Sequence, residues 1–275
     1  MGKQSGPRAR KRFGQNFLRD TEIIERIING IAPKAGQAIV EVGPGNGALT
    51  ELLLESSAWV TAIEIDRDLI PRLQARFSHF SNFNLLQTDA LKLDYASLQQ
   101  SSEQQSSGQQ QGNSFRLVGN LPYNISTPLL FHLLSYADHI VDMTFMLQKE
   151  VVDRMSAEPG SRQYGRLSVM VQYRCQVEAL FDVGPQAFSP VPKVWSAIVR
   201  LRPHQQMPYP CVDEKTLQQV VTQAFSMRRK TVRNALRAMF SEDQLRELGV
   251  DPQARPEFLS LADYVRLTNN YHSRV

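Results

Sequence analysis

Three glycines in five positions, "GPGNG" at 43–47, follow the apolar run "AIVEV" (38–42) and lead into "ALTELLLESS". Glycines in such a turn let the backbone approach a ligand and tolerate positive φ. The G-x-G-x-G spacing is not the dinucleotide pattern G-x-G-x-x-G, and no Lys-Ser/Thr pair follows, so the turn lacks a P-loop's grip on phosphate. Glu64 lies at the end of the next apolar run, "WVTAIEI" (59–65), where an acid can bind ribose hydroxyls. Asp89 ends a third, "FNLLQTDA" (83–90), and can accept from an adenine amino group. In an open α/β sheet, such strand ends converge on one crevice. Gly43, Gly45, Glu64 and Asp89 therefore fit a ligand with adenine and ribose but no pyrophosphate, and S-adenosylmethionine is the candidate.

A fourth apolar run, "FRLVGN" (115–120), delivers Asn120 beside that ligand, followed by Leu121, Pro122 and Tyr123. An adenine exocyclic amine is a poor nucleophile because its lone pair is conjugated into the ring. Two acceptors aimed at its hydrogens would hold the nitrogen nearer tetrahedral and favour attack on a sulfonium methyl. The Asn120 side-chain oxygen is one candidate, and a main-chain carbonyl in Leu121-Pro122 is the other, with Pro122 stiffening the turn. Tyr123 would stack on an extruded base. Positioning and dipoles suffice, with no general base of tuned pKa. Asn-x-Pro-Tyr by itself also suits a turn with a capping Asn and a core Tyr; its place in the strand order favours the chemical reading.

The elements that must hold these residues alternate strand and helix from 38 to 147, indicating a parallel sheet covered by helices. Ile23, Ile24, Ile27, Ile28 and Ile31 recur at helical spacing behind Asp20 or Thr21 as N-cap. A helix over "GRLSVMVQYRC" and strands near 176–182 and 194–202 extend the sheet through a hairpin-like pair. After a linker at 202–210, helical patterns near 213–226, 228–240 and 257–271 form a small α-helical domain. The polar stretch 99–114 has almost nothing apolar to bury and reads as a flexible surface insertion.

"KRFGQNFL" (11–18), "EVGPGNG", "NLPY", "MLQKEVVDRM" (146–155), "FSPVPKVWSAIVRL" (188–201) and "RRKTVRNAL" (228–236) together resemble the ribosomal RNA adenine dimethyltransferase family, nearest its bacterial small-subunit members. The likeness covers nearly the whole chain. It implies a Rossmann-like S-adenosylmethionine-dependent methyltransferase sheet with the small C-terminal α-helical domain: a basic arm at 1–19, the methyltransferase domain at 20–203 and the helical domain at 208–275. It implies N6,N6-dimethylation of two adjacent adenosines in the 3′-terminal hairpin loop of small-subunit ribosomal RNA. It places the cofactor against Asn16, Leu18, Gly43, Glu64, Asp89 and Asn120, and sandwiches the target adenine between Tyr123 and Phe188. Two departures stand out: the insertion at 99–114, and Trp195 where the family pattern has an acid.

Net charge is only +4, but residues 1–19 hold six cations and no acid. Lys11 and Arg12 there, and a second knot of Arg228, Arg229, Lys230, Arg233 and Arg237, are candidates for RNA phosphate contacts. On a helix, Arg229, Lys230, Arg233 and Arg237 would share one broad face. Cys175 and Cys211 have no metal-ligand spacing, so no metal is expected. No apolar stretch has the length of a membrane span. The expected setting is a cytoplasmic monomer that meets the small subunit and neither membrane nor DNA. Two rival readings are a large-subunit adenine methyltransferase of the macrolide-resistance type and a ribosome-assembly factor whose methylation is secondary.

Overall fold

The computed structural model describes residues 15–98, 114–227 and 229–274. The described residues divide into two compact units, one running up to Val152 together with Glu178–Pro203 and the other made of Asp153–Val177 together with the residues from His204 onward.

The first unit begins with a short strand β1 (Phe17–Leu18) and helix α1 (Thr21–Ile31). Asp20 caps α1 by accepting from the Ile23 N–H at 3.1 Å, and the isoleucine stripe buries Ile27 and Ile31. Then come β2 (Ala38–Val42), α2 (Ala48–Glu55), β3 (Trp59–Glu64), α3 (Ile70–Phe77), β4 (Phe83–Gln87), β5 (Phe115–Asn120), α4 (Ser126–Leu134) and β6 (Ile140–Gln148). Helix α5 (Lys149–Met155) follows β6; α6 (Arg166–Arg174), β7 (Cys175–Val183), β8 (Phe188–Ser189) and β9 (Ser196–Pro203) come next. Among the described residues, seven strands form one sheet in the order β4-β3-β2-β5-β6-β9-β7, parallel from β4 to β6, with β9 antiparallel to β6. Strands β1 and β8 form a separate antiparallel pair, Phe17 opposite Ser189 and Leu18 opposite Phe188.

This order places a topological switch at β2. The chain leaves β2 toward β3 and β4, then returns to β2's other side as β5, opening a crevice beyond the strands' carboxyl ends. Gly119 makes the β2–β5 junction possible, because a Cβ there would stand 2.4 Å from the Val42 carbonyl oxygen. The core joins α1, α2 and α3 to the sheet through Ile31, Ile39, Leu53, Val60, Leu73, Phe77 and Val118.

The second unit is helical. Helices α7 (Glu214–Ser226) and α10 (Leu261–His272) pack on each other and on α6. Its core includes Leu217, Val220, Val221, Leu236, Leu245 and Leu267, with Phe225 between the rings of Tyr164 and Tyr264 at 6.3 and 5.8 Å. The unit thus takes in residues 153–177, which precede the helical region expected from 208. Helix α6 buries Val169, Met170, Val171 and Tyr173 and packs on α7 and α10, helices far along the chain, and short-range periodicity does not name the partner.

The helix expected over 228–240 is corrected to a single turn, α8 (Val232–Ala235), followed by α9 (Glu242–Glu247). The Val232 and Arg233 N–H groups donate to Ala254 and Pro252 carbonyls, not to carbonyls a turn upstream, so no helix runs back through Arg229 and Lys230. The shared cationic face of Arg229, Lys230, Arg233 and Arg237 therefore does not form, although all four remain exposed. Arg233 is engaged by Glu242 at 2.8 Å.

Candidate functional site

At the switch point lies a cleft of about 940 Å³, counting its open mouth. The turn after β2 forms its floor, with Gly43 at φ 68° and Gly45 at φ 57°, a conformation that L side chains rarely adopt. Gly47, at φ 80°, has a second constraint: a Cβ would stand 2.4 Å from the Phe77 ring.

Glu64 ends β3 with its carboxylate turned back on the chain, Oε1 accepting from Ile65 N–H and Asp66 N–H at 2.9 Å each. Burial raises its pKa despite those bonds and one from the Gly45 N–H. Glu41 also lines the cleft. It is 2% exposed, and its Oε2 accepts from the Thr50 hydroxyl at 2.6 Å. Burial pushes its pKa up to about 7, the Thr50 bond opposes the rise and the Glu64 charge adds to it. The sequence reading passed over Glu41, although an acid inside the apolar run "AIVEV" was a visible signal.

Asn120 leaves β5 opposite Met146 of β6, and Leu121 N–H donates to the Met146 carbonyl at 3.2 Å. Its carboxamide Nδ2 donates to the Asn16 carbonyl at 3.0 Å. A carbonyl only accepts, so the amide's orientation is fixed, and Oδ1 is left as its acceptor edge. Asn16 is held by the neighbouring β1–β8 pair and by Gln15, whose Nε2 donates to Asp66 at 3.0 Å. The Pro122 carbonyl accepts from Ile125 N–H at 3.1 Å and from the Ser126 hydroxyl at 3.0 Å, starting α4. Tyr123 is half-buried, with Oη 2.7 Å from Ser196 Oγ, and burial raises its pKa, so it is a neutral phenol near neutral pH.

The cleft brings together Asn16, Leu18, Gly43, Gly45, Glu64 and Asn120, with Leu121, Pro122 and Tyr123 at the β5 end. Two expected residues stand apart from that lining. Asp89 lies past the end of β4, between cleft residues Thr88 and Ala90, with Oδ1 accepting from Leu91 N–H at 3.0 Å. Phe188 is 3% exposed and packs into the core. Lys11, Arg12, Arg228 and nearly all of the 99–114 insertion lie outside the described residues. Among the described residues, no group of three or more His, Cys, Asp or Glu could hold a metal ion, and no helix is long and apolar enough to cross a membrane.

The described residues lining the cleft include two glutamates and no lysine or arginine. That donor set suits a cationic ligand and would repel a phosphate, which fits S-adenosylmethionine. With the switch-point sheet, it defines the Rossmann-like fold of S-adenosylmethionine-dependent methyltransferases. Residues 6–273 match the family described as Ribosomal RNA adenine dimethylase, and the chain belongs to that family. It is 54% identical to Ribosomal RNA small subunit methyltransferase A of Hahella chejuensis, over 96% of this chain and 93% of that protein. The protein of the same name in Pseudomonas aeruginosa is 56% identical over 95% and 94%. A dimethyladenosine transferase from Plasmodium falciparum superposes with a TM-score of 0.77 at 25% identity, covering 94% of this chain and 98% of that one. The 23S rRNA methyltransferase ErmE does so with a TM-score of 0.69 at 25% identity, over 94% and 100%.

Proposed function

We propose that this protein methylates N6 of two adjacent adenosines in the 3′-terminal hairpin loop of small-subunit ribosomal RNA, giving N6,N6-dimethyladenosines. The observation that carries the reading is the Asn120–Asn16 bond, which leaves the Asn120 oxygen as an acceptor beside a cleft suited to a cation. The chemistry supplied there by S-adenosylmethionine is a methyl group on a sulfonium. Gly43 and Gly45 would give it close access to backbone, Asn16 and Leu18 would wall one side, and Glu64 would accept from its ribose hydroxyls. Asp89, between cleft residues Thr88 and Ala90, would accept from the cofactor's adenine amino group.

Asn120 Oδ1 accepts one hydrogen of the target amine. Because the Pro122 carbonyl is committed to Ile125 and Ser126, the Leu121 carbonyl serves as the second acceptor. Both dipoles would draw the nitrogen lone pair out of conjugation; the N–C bond would form as the S–CH3 bond breaks, the sulfonium leaving as a neutral thioether, S-adenosylhomocysteine, and the amine proton would pass to solvent. Tyr123 stacks on the extruded base. Phe188, opposite Leu18 in the β1–β8 pair, closes the other side and must swing out of the core to do so. Exposed Arg229, Lys230, Arg233 and Arg237, with Arg228, Lys11 and Arg12, neutralise RNA phosphates. The protein works as a cytoplasmic monomer without a metal.

The small-subunit target is favoured over the large-subunit one by the 54–56% identity to relatives named for the small subunit. Purified protein, unmethylated small subunits and methyl-labelled S-adenosylmethionine test the assignment once the modified bases are mapped. Label in two neighbouring adenosines of the terminal loop is expected; label in a large-subunit adenosine, offered in competition, overturns it.

A further inference from the structure

Trp195 is 55% exposed, yet it is firmly placed. Its carbonyl accepts from Lys149 N–H at 2.9 Å. Its indole lies against Gly184, where an added Cβ would be 3.8 Å from both Cζ3 and Cη2. The next residue, Ser196, is fully buried and bonds Tyr123 at 2.7 Å. Alternation at the start of β9 sends the Ser196 side chain inward to the site and leaves the Trp195 ring outside it. The segment from 184 to 195 contains no acid, its Lys193 is exposed, and Val191 and Val194 are 64% and 41% exposed. An exposed indole supported on one side, with a cation two residues away, combines an aromatic face with a charge for phosphate.

We propose that Trp195 is a stacking platform for the RNA nucleotide next to the target adenosine. The inference rests on the reading of Tyr123 as the residue that holds the extruded base. Extrusion leaves the neighbouring base without one of its stacking partners. Trp195 supplies a replacement surface one Cα step, ~3.8 Å, from the residue that fixes Tyr123. Stacking accepts any base, so the platform orients the loop without reading its sequence, and Lys193 meets the adjoining phosphate. A protein ligand would use the same exposed atoms as apolar area, without needing an aromatic plane, and this difference can be measured.

The test compares full-length wild type with Trp195→Ala, Trp195→Leu and Trp195→Phe on unmethylated small subunits. Expected is a KM for the subunit raised roughly tenfold in the Ala and Leu variants and less than about threefold in Phe. The slope of log KM against log salt and the affinity for S-adenosylmethionine should stay at wild-type values, because no charge is removed. In a Trp59→Phe background, a single-stranded RNA of the terminal loop sequence should quench the remaining tryptophan's fluorescence. Leu matching Phe would assign the surface to apolar packing and overturn the proposal. So would an Ala variant with unchanged KM and absent quenching, while wild-type labelling of the subunit leaves the methyl-transfer reading standing. If wild type itself fails to label the subunit, that reading falls, and absent quenching then ends this one too.

Discussion

At the scale of single residues, the proposed mechanism gives Asn120 two separable duties, because one end of its amide is tied to Asn16 and the other would be the acceptor. Asn120→Asp keeps oxygens toward the amine but sets a carboxylate against the Asn16 carbonyl, so the side chain must turn away. Asn120→Ala removes both duties. Single-turnover methyl transfer at saturating cofactor should fall about 10²–10³-fold in each, the cost of one misplaced or missing transition-state dipole. An Asp variant with wild-type turnover would refute the fixed orientation. Tyr123 divides similarly. Tyr123→Phe loses only the Ser196 bond and should keep activity within about fivefold, whereas Tyr123→Ala loses the stacking face and should lose roughly ten- to a hundredfold in kcat/KM. Phe188→Ala differs in kind: its ring is 3% exposed, so the variant should also lose about 3–5 kcal/mol of stability in urea, which Tyr123→Ala should not.

At the scale of elements, one buried ion pair ties the sheet to α1. Arg116 of β5 makes two 2.8 Å bonds to Asp142 of β6, and its Nη2 donates to the Ile31 carbonyl at 2.7 Å, near the end of α1. Both side chains are about 90% withdrawn from water, at 10% and 11% exposure. Arg116→Met should therefore cost roughly 3–5 kcal/mol by stranding the Asp142 charge, and Asp142→Asn in addition should recover part of it; urea titration of the two variants and their combination decides. The strands were legible in the sequence for the same reason they are stable: "AIVEV" and "FRLVGN" are continuous apolar runs buried on both faces, with boundaries matching Ala38–Val42 and Phe115–Asn120. The glycine turn, Glu64 and Asn120 followed directly from those boundaries. The segment 228–240 was less legible because its periodicity is helical while the donors of Val232 and Arg233 find partners some twenty residues downstream, at Pro252 and Ala254. Asp89 shows the same limit in small: its acid sits at an apolar run's end, but the strand stops at Gln87 and the side chain caps a turn. The Asn16–Asn120 contact, spanning 104 residues, had no local signature at all.

At the scale of the whole molecule, the cleft places function against stability, and pH reveals the conflict. Glu41 is buried with a pKa pushed up to about 7 from an ordinary 4.5, so its proton is held more tightly in the folded state than in the unfolded one. Below pH 4.5 both states are protonated and Glu41 contributes no pH dependence. Between pH 4.5 and about 7 the unfolded chain releases the proton while the folded chain keeps it, so stability declines as pH rises. Above that window the penalty is constant, on the order of 3 kcal/mol. Glu41→Gln stays neutral and offers Thr50 an amide oxygen in place of the carboxylate, so its stability relative to wild type should rise across that window and then level off. Burial raises the Glu64 pKa as well, so wild type and variant share part of the decline, and the difference between their denaturation curves reports Glu41 together with its coupling to Glu64. A cationic ligand in the cleft favours both glutamates in their charged form. Saturating S-adenosylmethionine should therefore shrink the advantage of Glu41→Gln at pH 8, measured by urea denaturation with and without cofactor. A difference that is flat in pH would mean that Glu41 titrates alike in the folded and unfolded chain, and one unchanged by the sulfonium would mean that the buried acid plays no part in holding it.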